Sequence, residues 1–259
     1  MTSAGAVAPP WLPLQSPIPG AVTAFCLPYA GGGASIYRTW TTGTGAGLRV
    51  CPVQLPGREG RLREAPHRRM ADLVADLLAG LGPHLAEPYI LFGHSMGAAI
   101  AFEWALHQQR HDPSRMPAHL VLSARRPPHV PPSGPLLHRL ADEAFRDQLQ
   151  GLRGTPEAVL SNRELMVLLM PLLRADFELI ESYHRAAAAE LDVPCTVLGG
   201  LDDEFNMQTL QDWALHLRRP PQVQLFPGGH FFLHEQRQAV LTLLGDAARC
   251  ASLRMGAFT

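Results

Sequence analysis

Ser95 stands in the stretch GHSMG, residues 93–97, with a glycine two places to either side. A serine hydroxyl is a weak nucleophile at neutral pH. It carries chemistry only where a base takes its proton and an acid orients the base. Acidic residues follow together at Asp202, Asp203 and Glu204, and their order alone does not choose among them. Twelve histidines could supply the base, so context has to select one. His230 comes directly after the apolar run VQLF and the turn PGG, which places it on a loop at a strand's end. His234 lies one turn further on, in a segment expected to be helical, and is the weaker candidate. His94 sits on the bend itself, where its ring is expected to point away from the hydroxyl. Serine, acid and histidine in that chain order could transfer an acyl group through a serine ester. The competing reading of Ser95 is a helix N-cap in a glycine-rich turn.

Such a set needs strands that end at one common edge. The runs AVTAFCL (21–27), LRVCPVQL (48–55), YILFG (89–93), HLVLSA (119–124), CTVLGG (195–200) and VQLFP (223–227) have strand length and little alternation. That pattern suits strands covered on both faces. Between them, Met70, Leu73, Val74, Leu77, Leu78 and Leu81 follow helical spacing, with Pro83 as a stop. Val240, Leu243, Leu244 and Ala247 repeat the pattern near the C-terminus. The alternation predicts an α/β fold, a mostly parallel sheet flanked by helices, with function at the carboxyl ends of the strands.

GHSMG follows one strand run and opens a helical segment, so its glycines permit a tight strand-turn-helix bend. The amide of Met96 at that helix start can then hold an oxyanion. The amide of Ala30, in LPYAGGGAS (27–35) after the first strand, can supply the second donor. From Arg125 to about Leu191 the sequence offers only a proline-rich link and helical stretches, which predicts a helical lid at about 128–190. Residues 1–20, with five prolines, read as an extended leader, and residues 21–259 as a single domain.

The net charge of −1 gives no electrostatic reason to expect nucleic acid or an anionic membrane as partner. No apolar stretch approaches the ~20 residues needed to span a bilayer. The N-terminal residues lack an early basic residue and are broken by prolines, unlike a signal peptide. Cys26, Cys51, Cys195 and Cys250 show no zinc-like spacing, and three of them lie inside apolar runs. They read as reduced thiols packed like small hydrophobes, so neither a metal nor a cofactor is expected. A cytoplasmic monomer is the expectation.

The chain resembles the type II thioesterases that accompany polyketide synthases and nonribosomal peptide synthetases. The resemblance rests on LPYAGGGAS, QLPGREGR (54–61), LFGHSMGA (91–98), LVLSARRPP (120–128), LLRADFELIESY (172–183), LGGLDDE (198–204) and PGGHFFL (227–233). It implies an α/β-hydrolase fold with a helical lid, and hydrolysis of acyl thioesters on the phosphopantetheine arm of carrier proteins. It also places the acid three residues after the second glycine of LGG, on Asp203, with Asp202 as runner-up. The implied machinery is Ser95, Asp203 and His230, with the amides of Ala30 and Met96 as oxyanion hole.

The implied task is clearing aberrant or stalled acyl groups. The alternatives are a chain-terminating medium-chain acyl carrier protein thioesterase, a general small-ester carboxylesterase and a noncatalytic synthase-docking module. Met166, Leu169, Met170 and Phe177 read as core of the lid sooner than as pocket lining. All basic side chains are arginines. Arg58, Arg61, Arg63, Arg68 and Arg69 form one cluster, and Arg125 and Arg126 another near the expected site. Each is a candidate contact for an acidic carrier protein or its phosphate, weighed against a solvated surface position.

Overall fold

An apolar run without alternation is satisfied only between two covering layers, and all six runs become strands. The computed structural model describes residues 10–14, 20–42, 45, 47–82, 85, 88–132, 134–152, 161–186 and 188–256. Its strands are β1 (Val22–Leu27), β2 (Leu48–Pro52), β3 (Tyr89–His94), β4 (His119–Ser123), β5 (Cys195–Gly200) and β6 (Gln222–Phe226). They form one sheet in the order β2-β1-β3-β4-β5-β6, with every neighbouring pair parallel. The helices are α1 (Met70–Leu81), α2 (Met96–His111), α3 (Asp142–Leu152), α4 (Arg163–Glu181), α5 (Met207–Gln211) and α6 (Arg237–Gly256). The chain runs from β1 to β2 on one side, then returns to β3 on the other. Such a reversal opens a crevice beyond the strands' carboxyl ends. The loops that leave β1 and β3 are LPYAGGGAS and GHSMG, so the two candidate segments meet there.

Successive strand residues face opposite layers. Phe25, Leu91, Leu120 and Val197 belong to a core with Leu73 and Leu77 of α1 and Phe102 and Trp104 of α2. Ala24, Ile90, Val121 and Leu198 belong to the other core, with Val240, Leu244 and Ala248 of α6. Burial of each large side chain contributes about 1.5–3 kcal/mol. β6 departs from the expected two-sided cover: it is one of the two edge strands, and unlike β2 at the other edge its burial alternates until Phe226. The predicted stop at Pro83 and much of the leader, residues 1–9 and 15–19, lie outside the described residues.

Between β4 and β5 the described residues hold no strand, only α3, α4 and a short 3-10 turn at Leu137–Arg139. This insertion has its own small core, in which Phe145, Leu149, Met166 and Leu173 are buried and Leu169, Met170 and Phe177 pack against them. Cys26, Cys51 and Cys195 are buried free thiols whose pKa values burial pushes up, and Cys250 is exposed. Among the described residues no helix is long and apolar enough to cross a membrane. No group of three or more His, Cys, Asp or Glu is placed to hold a metal there.

Candidate active site

β3 ends at His94, Ser95 alone forms the turn, and α2 begins at Met96. A reversal that abrupt forces Ser95 to φ 54° and ψ −112°, in the positive-φ half of the map that residues with side chains avoid. The strain projects the residue out of the sheet's end. Ser95 makes no side-chain capping bond to α2, so the N-cap reading has no support in the geometry. The bend is closed by the backbone instead: the Ser95 amide donates to the Ser123 carbonyl at 2.8 Å, tying the turn to β4. A Cβ on Gly97 would run into the carbonyls of Leu27 and Pro28, and one on Gly93 into the backbone of Gly97. These two glycines let α2 start directly against β1 and the loop after it. Gly97→Ala is therefore expected to lower the Tm by several degrees, because backbone has to give way. It should also cut kcat at least tenfold by moving Met96 away from the β1 loop, checked by calorimetry and turnover on one preparation.

The acid and base meet on the neighbouring loops. Asp203 follows β5, and its side chain is 2% exposed. Its Oδ2 lies 3.0 Å from His230 Nδ1, and its Oδ1 accepts from the Glu204 amide at 2.7 Å. Asp202 is exposed, and its amide donates to Gly228 at 3.0 Å. Of the two, Asp203 is the one joined to His230. The His230 ring packs edge-on against His94, Phe231 and Phe205. His94 points into the fold, with Nδ1 2.9 Å from Ser123 Oγ. Burial, followed by the nearby His230 and His234, holds the His94 pKa well below the ordinary histidine value, so it stays neutral beneath the site. His234 is not helical as expected; it lies in a run of turns before α6, 3.2 Å from the Tyr29 hydroxyl. Proline and glycines at 227–229 end β6 without starting a helix, which explains the difference.

Ser95, His230, Ala30 and Met96 line one cavity of about 840 Å³. Met96 is the first residue of α2, so its amide has no intrahelical acceptor and sits at the positive end of the helix dipole. The far wall comes from the insertion, through Leu149, Leu173, Phe177 and Ile180. Phe177 therefore serves both as packing for the insertion's core and as pocket wall.

Arg125 and Arg126 also line the cavity, and among the described residues neither makes an ion pair. Burial lowers the Arg125 pKa to about 9, with Arg126 adding to the shift. The Arg126 guanidinium lies 5.9 Å above the Phe205 ring. The other arginine cluster divides. Arg63, Arg68 and Arg69 are exposed, but Arg58 and Arg61 are only 4% and 8% exposed. Arg61 stacks on Trp11 and pairs with Glu64, and Arg58 pairs with Asp176. Both are structural, which removes them from the candidate docking surface. Spacing did not single out Asp176. Its signal was a carboxylate inside the apolar stripe Leu172, Leu173, Leu179 and Ile180, since a charge on a buried helix face needs a partner.

An all-parallel sheet, a strained serine between strand and helix, and an Asp–His pair on the next loops define an α/β-hydrolase. Residues 23–247 match the family model of the thioesterase domain, and the chain belongs to that family. It is thereby a hydrolase acting on thioester bonds. The gramicidin S biosynthesis protein GrsT of Aneurinibacillus migulanus is 38% identical over 232 residues, covering 89% of this chain and 88% of its own. Thioesterase PikA5 of Streptomyces venezuelae is 33% identical, with 91% and 84% covered. Among solved structures, the type II thioesterase BorB from the borrelidin biosynthetic cluster superposes with a TM-score of 0.81 at 33% identity, covering 89% of this chain and 94% of that one.

Proposed function

We propose that this protein is an editing thioesterase that clears stalled or aberrant acyl groups from the phosphopantetheine arm of carrier proteins. The observation that carries the proposal is the strained Ser95 sharing one cavity with the Asp203–His230 pair. His230 takes the Ser95 proton, and the alkoxide attacks the thioester carbonyl. The amides of Ala30 and Met96 receive the oxyanion, each contributing about 3 kcal/mol. The thiol leaves with the proton from His230, which next activates water to release the acid from the acyl-serine. Asp203 fixes the imidazole tautomer and stabilises its protonated form. No cofactor enters, because the arm on the partner carries the substrate. The chain acts as a single cytoplasmic domain from residue 21, with a helical lid at about 128–190 whose α3 and α4 wall the cavity.

The test compares one acyl group on a carrier protein, on coenzyme A and as a simple ethyl ester. The carrier-bound thioester should have the highest kcat/KM, with slow, broad turnover of short acyl groups. Preference for the simple ester would replace the proposal with a general esterase, and a sharp optimum at one medium chain with a chain terminator. Arg125 and Arg126 face the cavity without a salt-bridge contact to Glu181 or Glu204, which line it too, and they suit the phosphodiester of the arm. Arg126→Ala should raise KM for the carrier-bound thioester roughly tenfold and leave kcat nearly unchanged. The wild-type KM should rise with salt, and steady-state turnover across a sodium chloride series checks both.

A further inference from the structure

A buried ion pair joins three segments that the triad does not use. Asp176 of α4 and Arg58, in the loop after β2, have side chains only 2% and 5% exposed. Both Arg58 terminal nitrogens donate to Asp176, Nη1 to Oδ2 and Nη2 to Oδ1, each at 2.8 Å. The pair does not stop at itself. Asp176 Oδ2 also accepts from the Gly31 amide at 2.7 Å, and Arg58 Nη1 also donates to the Gly32 carbonyl at 3.1 Å. Arg58 Nε donates to the Pro56 carbonyl at 3.1 Å, which anchors the guanidinium to its own loop.

Gly31 and Gly32 directly follow Ala30, whose amide is the proposed oxyanion donor. That amide shares a peptide plane with the Tyr29 carbonyl. The Tyr29 carbonyl accepts from the Gly32 amide at 2.9 Å. The tilt of the Ala30 N–H is therefore set by a turn through Gly31, which holds φ +77°. Glycine adopts that angle freely, so the turn has little conformational preference of its own and needs outside support. Asp176 holds its N–H side, Arg58 holds its C=O side, and Leu173 of α4 packs where a Gly31 side chain would stand. Residues flanking Asp176 on the same helix, Leu173, Phe177 and Ile180, wall the cavity. One helix thus covers the acyl pocket and grips the oxyanion loop.

We propose that Asp176, aligned by Arg58, is a positioning residue that sets the Ala30 amide for the oxyanion and makes that alignment depend on the seating of α4. The inference rests on the thioesterase reading above. It predicts a cost in kcat and not in KM, because an oxyanion donor acts on the transition state more than on bound substrate.

The test uses two double variants of the full chain. Arg58→Met with Asp176→Leu removes both charges at similar volume, a replacement that buried ion pairs tolerate, and leaves the Gly31 amide without an acceptor. Arg58→Met with Asp176→Asn removes the charges and keeps an amide oxygen for Gly31. With kcat counted per Ser95 titrated by a fluorophosphonate, the leucine pair should lose roughly 10–100-fold in kcat, with KM within about threefold. Its affinity for a boronate analogue of the tetrahedral intermediate should fall by the same factor. The asparagine pair should recover most of both. If the leucine pair does not fold, Asp176→Ala, which also lacks the acceptor, should show the same loss per titrated site. Wild-type kcat and boronate affinity in the leucine pair, or in Asp176→Ala, would overturn the inference. So would equal losses in the leucine and asparagine pairs. Failure of the parent reading looks different: the unaltered protein would then prefer the simple ester, or one medium-chain acyl group, in the substrate comparison above.

Discussion

Ser95→Ala should lower kcat on a carrier-bound acyl thioester by roughly 10⁴–10⁶-fold while the protein stays folded. The loss amounts to about 5–8 kcal/mol of transition-state stabilisation, because the covalent route disappears and only binding and oxyanion contacts remain. Folding should be spared for a local reason. The Ser95 hydroxyl does not cap α2, and the turn is held by the backbone bond from the Ser95 amide to Ser123. Alanine keeps that bond and meets the same backbone angles, so the Tm should move by no more than a few degrees. Thermal unfolding and single-turnover assays on the same preparation separate lost chemistry from lost structure. A variant that keeps its effect on a stalled synthase without turnover would mark the protein as a docking module.

Asp203→Asn should cost about 10⁴-fold in kcat, a figure typical of this change in serine triads. Here the geometry says how. Asp203 Oδ1 accepts from the Glu204 amide at 2.7 Å, so the asparagine oxygen keeps that place. Its NH₂ then takes the position of Oδ2, 3.0 Å from His230 Nδ1, and donates where the carboxylate accepted. His230 must place its proton on Nε2, the tautomer that cannot take a proton from Ser95. KM should change little, since neither group binds the acyl chain. Asp202→Asn is the control, with kcat within about threefold of wild type, because the Asp202 side chain is exposed and not joined to His230. Equal losses at the two positions in steady-state kinetics would contradict the assignment.

Most of the sheet was legible because its strands are buried on both faces, and that constraint writes uninterrupted apolar runs such as YILFG and CTVLGG. β6 differs: Gln222, Val223, Gln224 and Leu225 are exposed or only partly covered, whereas β2 at the opposite edge is buried, and VQLF alone does not show which run stays uncovered. Ser95 and His230 could be placed because each lies just beyond a strand, bounded by glycines. Asp203 could not be told from Asp202 by order. That choice depends on which carboxylate turns toward His230, a matter of loop geometry. Arg58 and Asp176 stand 118 positions apart, and in the sequence Arg58 reads as one of an arginine cluster, a carrier contact or a solvated charge. Nothing local pairs them; only the descent of α4 onto the loop after β1 does. The insertion's residues split between its own core and the cavity wall for the same reason, and Phe177 serves both.

The most direct test is an acid-quenched reaction of the protein with a carrier-bound acyl thioester, read by intact mass and peptide mapping. A transient increase of one acyl group is expected on the peptide carrying Ser95. That adduct should accumulate in His230→Ala only to the extent that slow acylation still occurs, and be absent in Ser95→Ala. Undiminished hydrolysis by Ser95→Ala, or the acyl group on any other residue, would contradict Ser95 as the nucleophile.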